Sequence, residues 1–194
     1  KLFIRSRWHG GTVFYKMVDR RIEKMKSKIS NQQFDLPPYH ELPTMGLYLK
    51  QVVTYLQQCV APFESVKVTS SMISNYVKHR LISRPQKKLY GREQIAQLLF
   101  IMIAKNVLEQ ADLRKAIQIQ EETYSTEVAY NYFVQELGNV SRYVFGQQTI
   151  LEHVGQEHTK QKQMLRNVIM AFAYREYLYQ FFEGVDINNS SSLV

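Results

Sequence analysis

The chain has one cysteine, Cys59, among 194 residues, so it cannot close an internal disulfide. It also lacks any run of roughly eighteen apolar residues of the kind that crosses a bilayer as a helix. The cytoplasm is therefore the expected location. There is no glycine-rich phosphate loop and no Gly-x-Ser-x-Gly elbow. His153 and His158 stand five apart, without the i, i+4 pairing of a helical zinc motif. With no catalytic or metal-binding constellation, an enzyme is not expected, nor is a cofactor. The opening "KLFIRSRWHGGTVFYK" lacks the apolar segment and small-residue cleavage site of a signal peptide. Lys1–Lys16 reads as a tag or an upstream extension.

A local absence is more telling. From Lys67 to Arg92, "KVTSSMISNYVKHRLISRPQKKLYGR", there is no Asp or Glu, although the chain has seventeen, and there are seven Lys or Arg. The net charge of +8 is accordingly uneven: +5 over 1–64, +7 over 65–92, zero over 93–120 and −4 over 121–194. A basic face that only aids solubility is normally interspersed with acids. Their exclusion here points to a polyanionic partner.

What is present is mostly helical periodicity. Residues 17–43 read as a short amphipathic helix over Val18–Gln33, with Ile22, Met25 and Ile29 on one face, and then the breaker "LPPYHELP", an extended and peripheral linker. Apolar residues at 45, 48, 49, 52, 53, 56, 59, 60 and 63 form one stripe of a helix that starts after Pro43 and stops at Pro62. Cys59 lies on that stripe as a core residue. Residues 92–106 are apolar nearly all round, "IAQLLFIMIA", and should be the central core helix. Further helices are expected over 110–120, 125–145 and 156–182.

Within the acid-free stretch, Thr69, Ser70 and Ser71 are N-cap residues for a short helix that buries Met72, Ile73, Tyr76 and Val77. Its other face carries Ser71, Ser74, Asn75 and Lys78 at i, i+3, i+4 and i+7. Short hydrogen-bonding side chains let a helix axis approach base edges in a major groove, where Asn pairs bidentately with adenine. An ordinary solvated face has the same pattern, and the neighbouring residues decide between the two. Pro85 and a basic turn, flanked by Ile82 and Leu89, fit a tight hairpin or wing with Arg84, Lys87 and Lys88 at its tip. Cations there would meet phosphates beside the groove. Acids would repel that backbone, which accounts for their absence.

The stretch "SSMISNYVKHRLISRPQKKLYGREQIAQLLFIMIAKNVLEQADLRKAI" resembles the winged helix-turn-helix of MerR-type regulators: Tyr76, Leu81, Ile82, Tyr90, Glu93, Gln94, Ile95 and "LEQADLRKAI" stand in that pattern's places. With the preceding "LPTMGLYLKQVVTYL", residues 35–145 look most like an uncharacterised bacterial group, domain-of-unknown-function family 1836. Arg80 stands where MerR proteins have a glycine, the wing is shorter, and "APFESVKV" is longer than their turn. The resemblance implies a winged helix-turn-helix over 44–122 that binds double-stranded DNA. Ser71, Ser74, Asn75 and Lys78 would face bases; Tyr76, Arg80, Arg84, Lys87, Lys88 and Arg92 would hold phosphates.

In the C-terminal part, residues 123–194, "VIMAFAY" places seven apolar residues in a row at Val168–Tyr174. Seven positions turn through nearly two full circles of a helix, so both sides should be buried, one of them against a second subunit or, alternatively, by a central position in a monomeric bundle. The aromatics that crowd this part, among them Tyr130, Tyr132, Phe133, Phe172 and Tyr177, could line a pocket for a hydrophobic or cationic effector, although core and interface packing is their commoner use. The expectation is an all-α chain with a small β-hairpin wing and a C-terminal helical dimerisation region, acting as a sequence-specific transcriptional regulator. The alternative is a non-catalytic interaction module whose basic face docks an acidic protein.

Overall fold

The all-round apolar segment is the hub of the protein. In the computed structural model, which describes residues 32–155 and 159–183 together with 19, 20, 23 and 27, nine of the thirteen residues of Arg92–Ala104 are buried. The order of elements is a single 3-10 turn (Tyr39–Glu41), β1 (Leu47–Tyr48), α1 (Leu49–Cys59), α2 (Ser70–Lys78), β2 (Leu89–Tyr90), α3 (Arg92–Ala104), α4 (Gln110–Thr123), α5 (Thr126–Val144) and α6 (Lys160–Phe182). Among the described residues the protein is thus mainly helical, with one two-stranded antiparallel sheet. Among the described residues no helix is long and apolar enough to cross a membrane. Lys1–Lys16, His158 and ten of the sixteen residues of the expected helix over Val18–Gln33 lie outside the described residues.

α3 packs against α1, α5 and α6, and a continuous core runs from Phe34 to Ala173. Burying a Leu such as Leu98 or Leu99 in this core contributes about 1.5–3 kcal/mol. Three of the helices, α2, α5 and α6, start where short polar side chains satisfy a free N–H group. The Met72 N–H donates to Thr69 Oγ1, that of Val128 to Ser125 Oγ, and that of Lys162 to Thr159 Oγ1.

Three expectations change once the chain is folded. The apolar stripe from Met45 is helical only from Leu49, because Leu47 and Tyr48 are extended and pair with Tyr90 and Leu89. Met45 and Tyr48 are exposed in consequence. Leu89 therefore finds its sheet partner before α1, and Ile82 does not pair with it but is buried. The "LPPYHELP" segment is not peripheral: Phe34, Leu36 and Leu42 are fully buried. It is a strap tied to α5, where the Tyr39 N–H donates to Asn131 Oδ1 at 2.9 Å, the Tyr130 hydroxyl donates to Pro37 O at 2.9 Å, and Arg142 pairs with Asp35 at 2.7 Å. In the Val168–Tyr174 run Phe172 and Ala173 face the core while Ala171 and Tyr174 face outward, on the side expected to meet a second subunit.

The linker "APFESVKV" packs with Phe63, Val66 and Val68 inward and is latched to α6. Glu176, wholly buried, accepts from the Ser65 N–H and hydroxyl and from Gln180 Nε2, while Gln180 Nε2 also donates to Pro62 O. A carboxylate buried this way is tolerable only because its lone pairs are filled. The C-terminal helix and the segment that leads into α2 are thereby joined.

Candidate nucleic-acid interface

α2 presents the four side chains expected at base edges on one open face: Ser71, Ser74, Asn75 and Lys78 are all exposed. The opposite face is anchored by Ile73 and Tyr76, both buried. Lys105 holds the helix entry from behind, with its Nζ donating to Lys67 O at 2.8 Å and lying 3.8 Å from Met72 Sδ. Burial lowers the pKa of this amine to about 8.

α2 ends in a Schellman motif, the Arg80 N–H reaching Val77 O at 3.1 Å and the Leu81 N–H reaching Tyr76 O at 2.9 Å. The motif requires a left-handed residue after the cap, ordinarily Gly; here Arg80 occupies it at φ 55°. Further along, the Leu89 N–H donates to Gln86 O at 2.8 Å and closes a two-residue turn. Its central residues, Lys87 and Lys88, have φ of 49° and 67°. Positive φ at both positions is the signature of a type I′ hairpin turn, which favours Asn-Gly. Among the described residues only these three non-glycines have positive φ, and each is an exposed cation. Left-handed backbone costs a side-chain-bearing residue about 1–2 kcal/mol.

Two of the residues expected on phosphates are engaged elsewhere. Tyr76 is 9 % exposed and belongs to the core, and desolvation raises its hydroxyl pKa. Arg92 donates through Nε to Leu42 O at 3.1 Å and through Nη2 to His40 O at 3.4 Å, with its guanidinium 5.5 Å from the Tyr39 ring centroid. Arg92 thus pins the N-terminal strap onto the start of α3. Arg84, Lys87 and Lys88 are exposed as expected. Arg114 on α4 was not anticipated. It donates through Nη2 to His79 O at 2.7 Å at the end of α2 and shares a cleft with Arg80 and Arg84. It lies 22 positions beyond Arg92 on a separate helix, so only the packing of α4 against the end of α2 adds it to the basic surface.

Residues 37–133 match the profile of the family described as "Domain of unknown function (DUF1836)". The chain belongs to this family. No curated protein and no solved structure matches the chain. The DUF1836 region runs from the strap into α5 and contains the whole acid-free strip, whereas α6 lies beyond it. Within the region, Gln94 braces the strip. Its Oε1 accepts from the Gly91 N–H at 2.9 Å and its Nε2 donates to Ser83 O at 2.8 Å, tying the loop after α2 to the start of α3.

Proposed function

We propose that this DUF1836 protein is a DNA-binding transcriptional regulator with a MerR-like winged helix-turn-helix, and that it is not an enzyme. It lays α2 in the major groove, with Ser71, Ser74, Asn75 and Lys78 toward base edges. Arg80, Arg84, Lys87 and Lys88, joined by Arg114, meet the flanking phosphates. The observation that carries this reading is an exposed short polar helix face followed, within ten residues of Lys78 and in the same acid-free stretch, by three exposed cations held in left-handed backbone. Strain retained where glycine would relieve it marks positions whose side chains are needed, and the need shared by three exposed cations in an acid-free segment is an anion. A regulator of this kind works in the cytoplasm.

A second copy completes the arrangement. Along α6, Ala171, Tyr174, Leu178 and Phe182 form an exposed row at i, i+3, i+7 and i+11, an unusual outer face for a lone helix. A two-fold dimer through this row would present two α2 helices to half-sites about 34–36 Å apart.

The test is selection from random duplex DNA at physiological salt, with Asn75→Ala and Lys87→Ala alongside. A palindromic motif is expected. Asn75→Ala should lose about 1–3 kcal/mol on that site only, and Lys87→Ala should weaken all sequences similarly and flatten the salt slope by about one. Equal losses on cognate and random DNA for Asn75→Ala would refute base reading. Absence of any motif would turn attention to an acidic protein partner for the same face.

A further inference from the structure

Behind the basic surface, α3, α4, α5 and the first turns of α6 enclose a cavity of about 340 Å³, within the size range of small-molecule sites. Its walls are overwhelmingly apolar, among them Phe100, Ile117, Phe133 and Leu165. Room is left by three alanines on three different helices, Ala96, Ala116 and Ala129. A void walled by large apolar side chains forfeits dispersion contacts unless something fills it. The mouth is apolar as well, with Val128 and Ile119 56 % and 39 % exposed.

The charge at this site is of one sign. Lys162 is the only charged side chain lining the cavity, and no carboxylate lines it among the described residues. Its Nζ stands 5.2 Å from the centroid of the Tyr132 ring, another wall residue, and lies beside Gly155 in the loop before α6. The amides of Gln97 and Gln120 each donate one N–H, to Glu121 Oε1 and Tyr124 O. The aromatic wall thus carries a cation of its own, and a cationic ligand would meet like charge in an apolar setting.

We propose that this cavity binds an amphipathic carboxylate, an unbranched hydrocarbon tail between α3, α4 and α5 with its anionic head on Lys162. The site is independent of the DNA reading and is tested without DNA. Isothermal titration calorimetry of the full chain with sodium decanoate below its micellar concentration should give one site per chain. Decylammonium and 1-decanol should bind at least about tenfold more weakly, because a charge-assisted contact contributes about 1.5–3 kcal/mol. Lys162→Met should weaken decanoate by the same factor while leaving decanol unchanged. Ala129→Phe should abolish binding of both, with an unfolding midpoint like that of the wild type. No decanoate binding, equal affinity for decylammonium, or undiminished decanoate affinity in Lys162→Met would each overturn the proposal. Should Ala129→Phe fail to fold, the ligand series and the half-exposed Lys162 still decide it.

Discussion

Arg80→Gly separates strain from function in one substitution. Arg80 occupies the left-handed position of the Schellman motif at φ 55°, a conformation costing an L-residue about 1–2 kcal/mol. Glycine removes that cost but gives back about 0.5–1 kcal/mol through the greater freedom of the unfolded chain. The net expectation is a gain of about 0.5–1 kcal/mol, which for a chain of this length is about 1–4 °C in midpoint. The guanidinium goes too, so one phosphate contact and about one unit of salt slope should be lost. Urea unfolding followed by circular dichroism reads the first effect, and fluorescence anisotropy on duplex DNA at several salt concentrations reads the second. Arg80→Ala is the control, because it keeps the strained backbone and removes the charge; it should lose DNA affinity without the gain in stability. A destabilised Arg80→Gly would mean that the guanidinium makes a contact worth more than the strain. A stabilised Arg80→Gly that binds DNA as tightly as the wild type would refute the inference that the strain is kept for an anion.

The other predictions concern what holds the surface in place. Gly46→Ala should destabilise by about 1–3 kcal/mol in urea unfolding, because a methyl there would lie 2.8 Å from Leu89 Cβ and push β1 from β2; an unchanged midpoint would count against that close approach. Arg92→Ala should cost about 1–3 kcal/mol of stability through its lost bonds to Leu42 O and His40 O. It should leave the salt slope of DNA binding alone, and a flattened slope would return Arg92 to the phosphate-binding set. Lys105 has its pKa lowered to about 8 by burial, so between about 8 and its ordinary value the unfolded chain binds more protons than the folded one. Stability contributed by this site should therefore rise with pH across that window and be flat below it. Comparing wild type with Lys105→Met by urea unfolding from pH 7 to 10 should show the difference moving in favour of the wild type as pH rises, and a difference independent of pH would refute the assignment.

Much of the fold is local enough to be read from the linear chain. The period of apolar residues over 92–104 needs no partner to announce a helix buried all round, because its pattern leaves no face for water. The open face of α2 is equally legible, since Ile73 and Tyr76 on one side leave Ser71, Ser74, Asn75 and Lys78 on the other at helical spacing. The three strained cations are visible only as residue types; that they take left-handed backbone follows from the Schellman bonds and the Gln86–Leu89 turn.

Other features depend on contacts between distant segments. β1 exists because β2 offers hydrogen bonds to Leu47 and Tyr48, forty-odd residues away, and this pairing overrides the helical stripe that Met45 and Tyr48 would extend. The strap is inside because α5 supplies Asn131 and Tyr130 to its backbone. Arg92 carries the same charge as Lys87, yet the carbonyls of Leu42 and His40 claim it. Composition and period thus determined the helices, the core hub and the basic face. Tertiary packing alone decided which cations backbone carbonyls claim, that Arg114, bound through Nη2 to His79 O, lies beside Arg80 and Arg84, and that a cavity opens beside Lys162, because each of these turns on groups that meet only when separate elements dock.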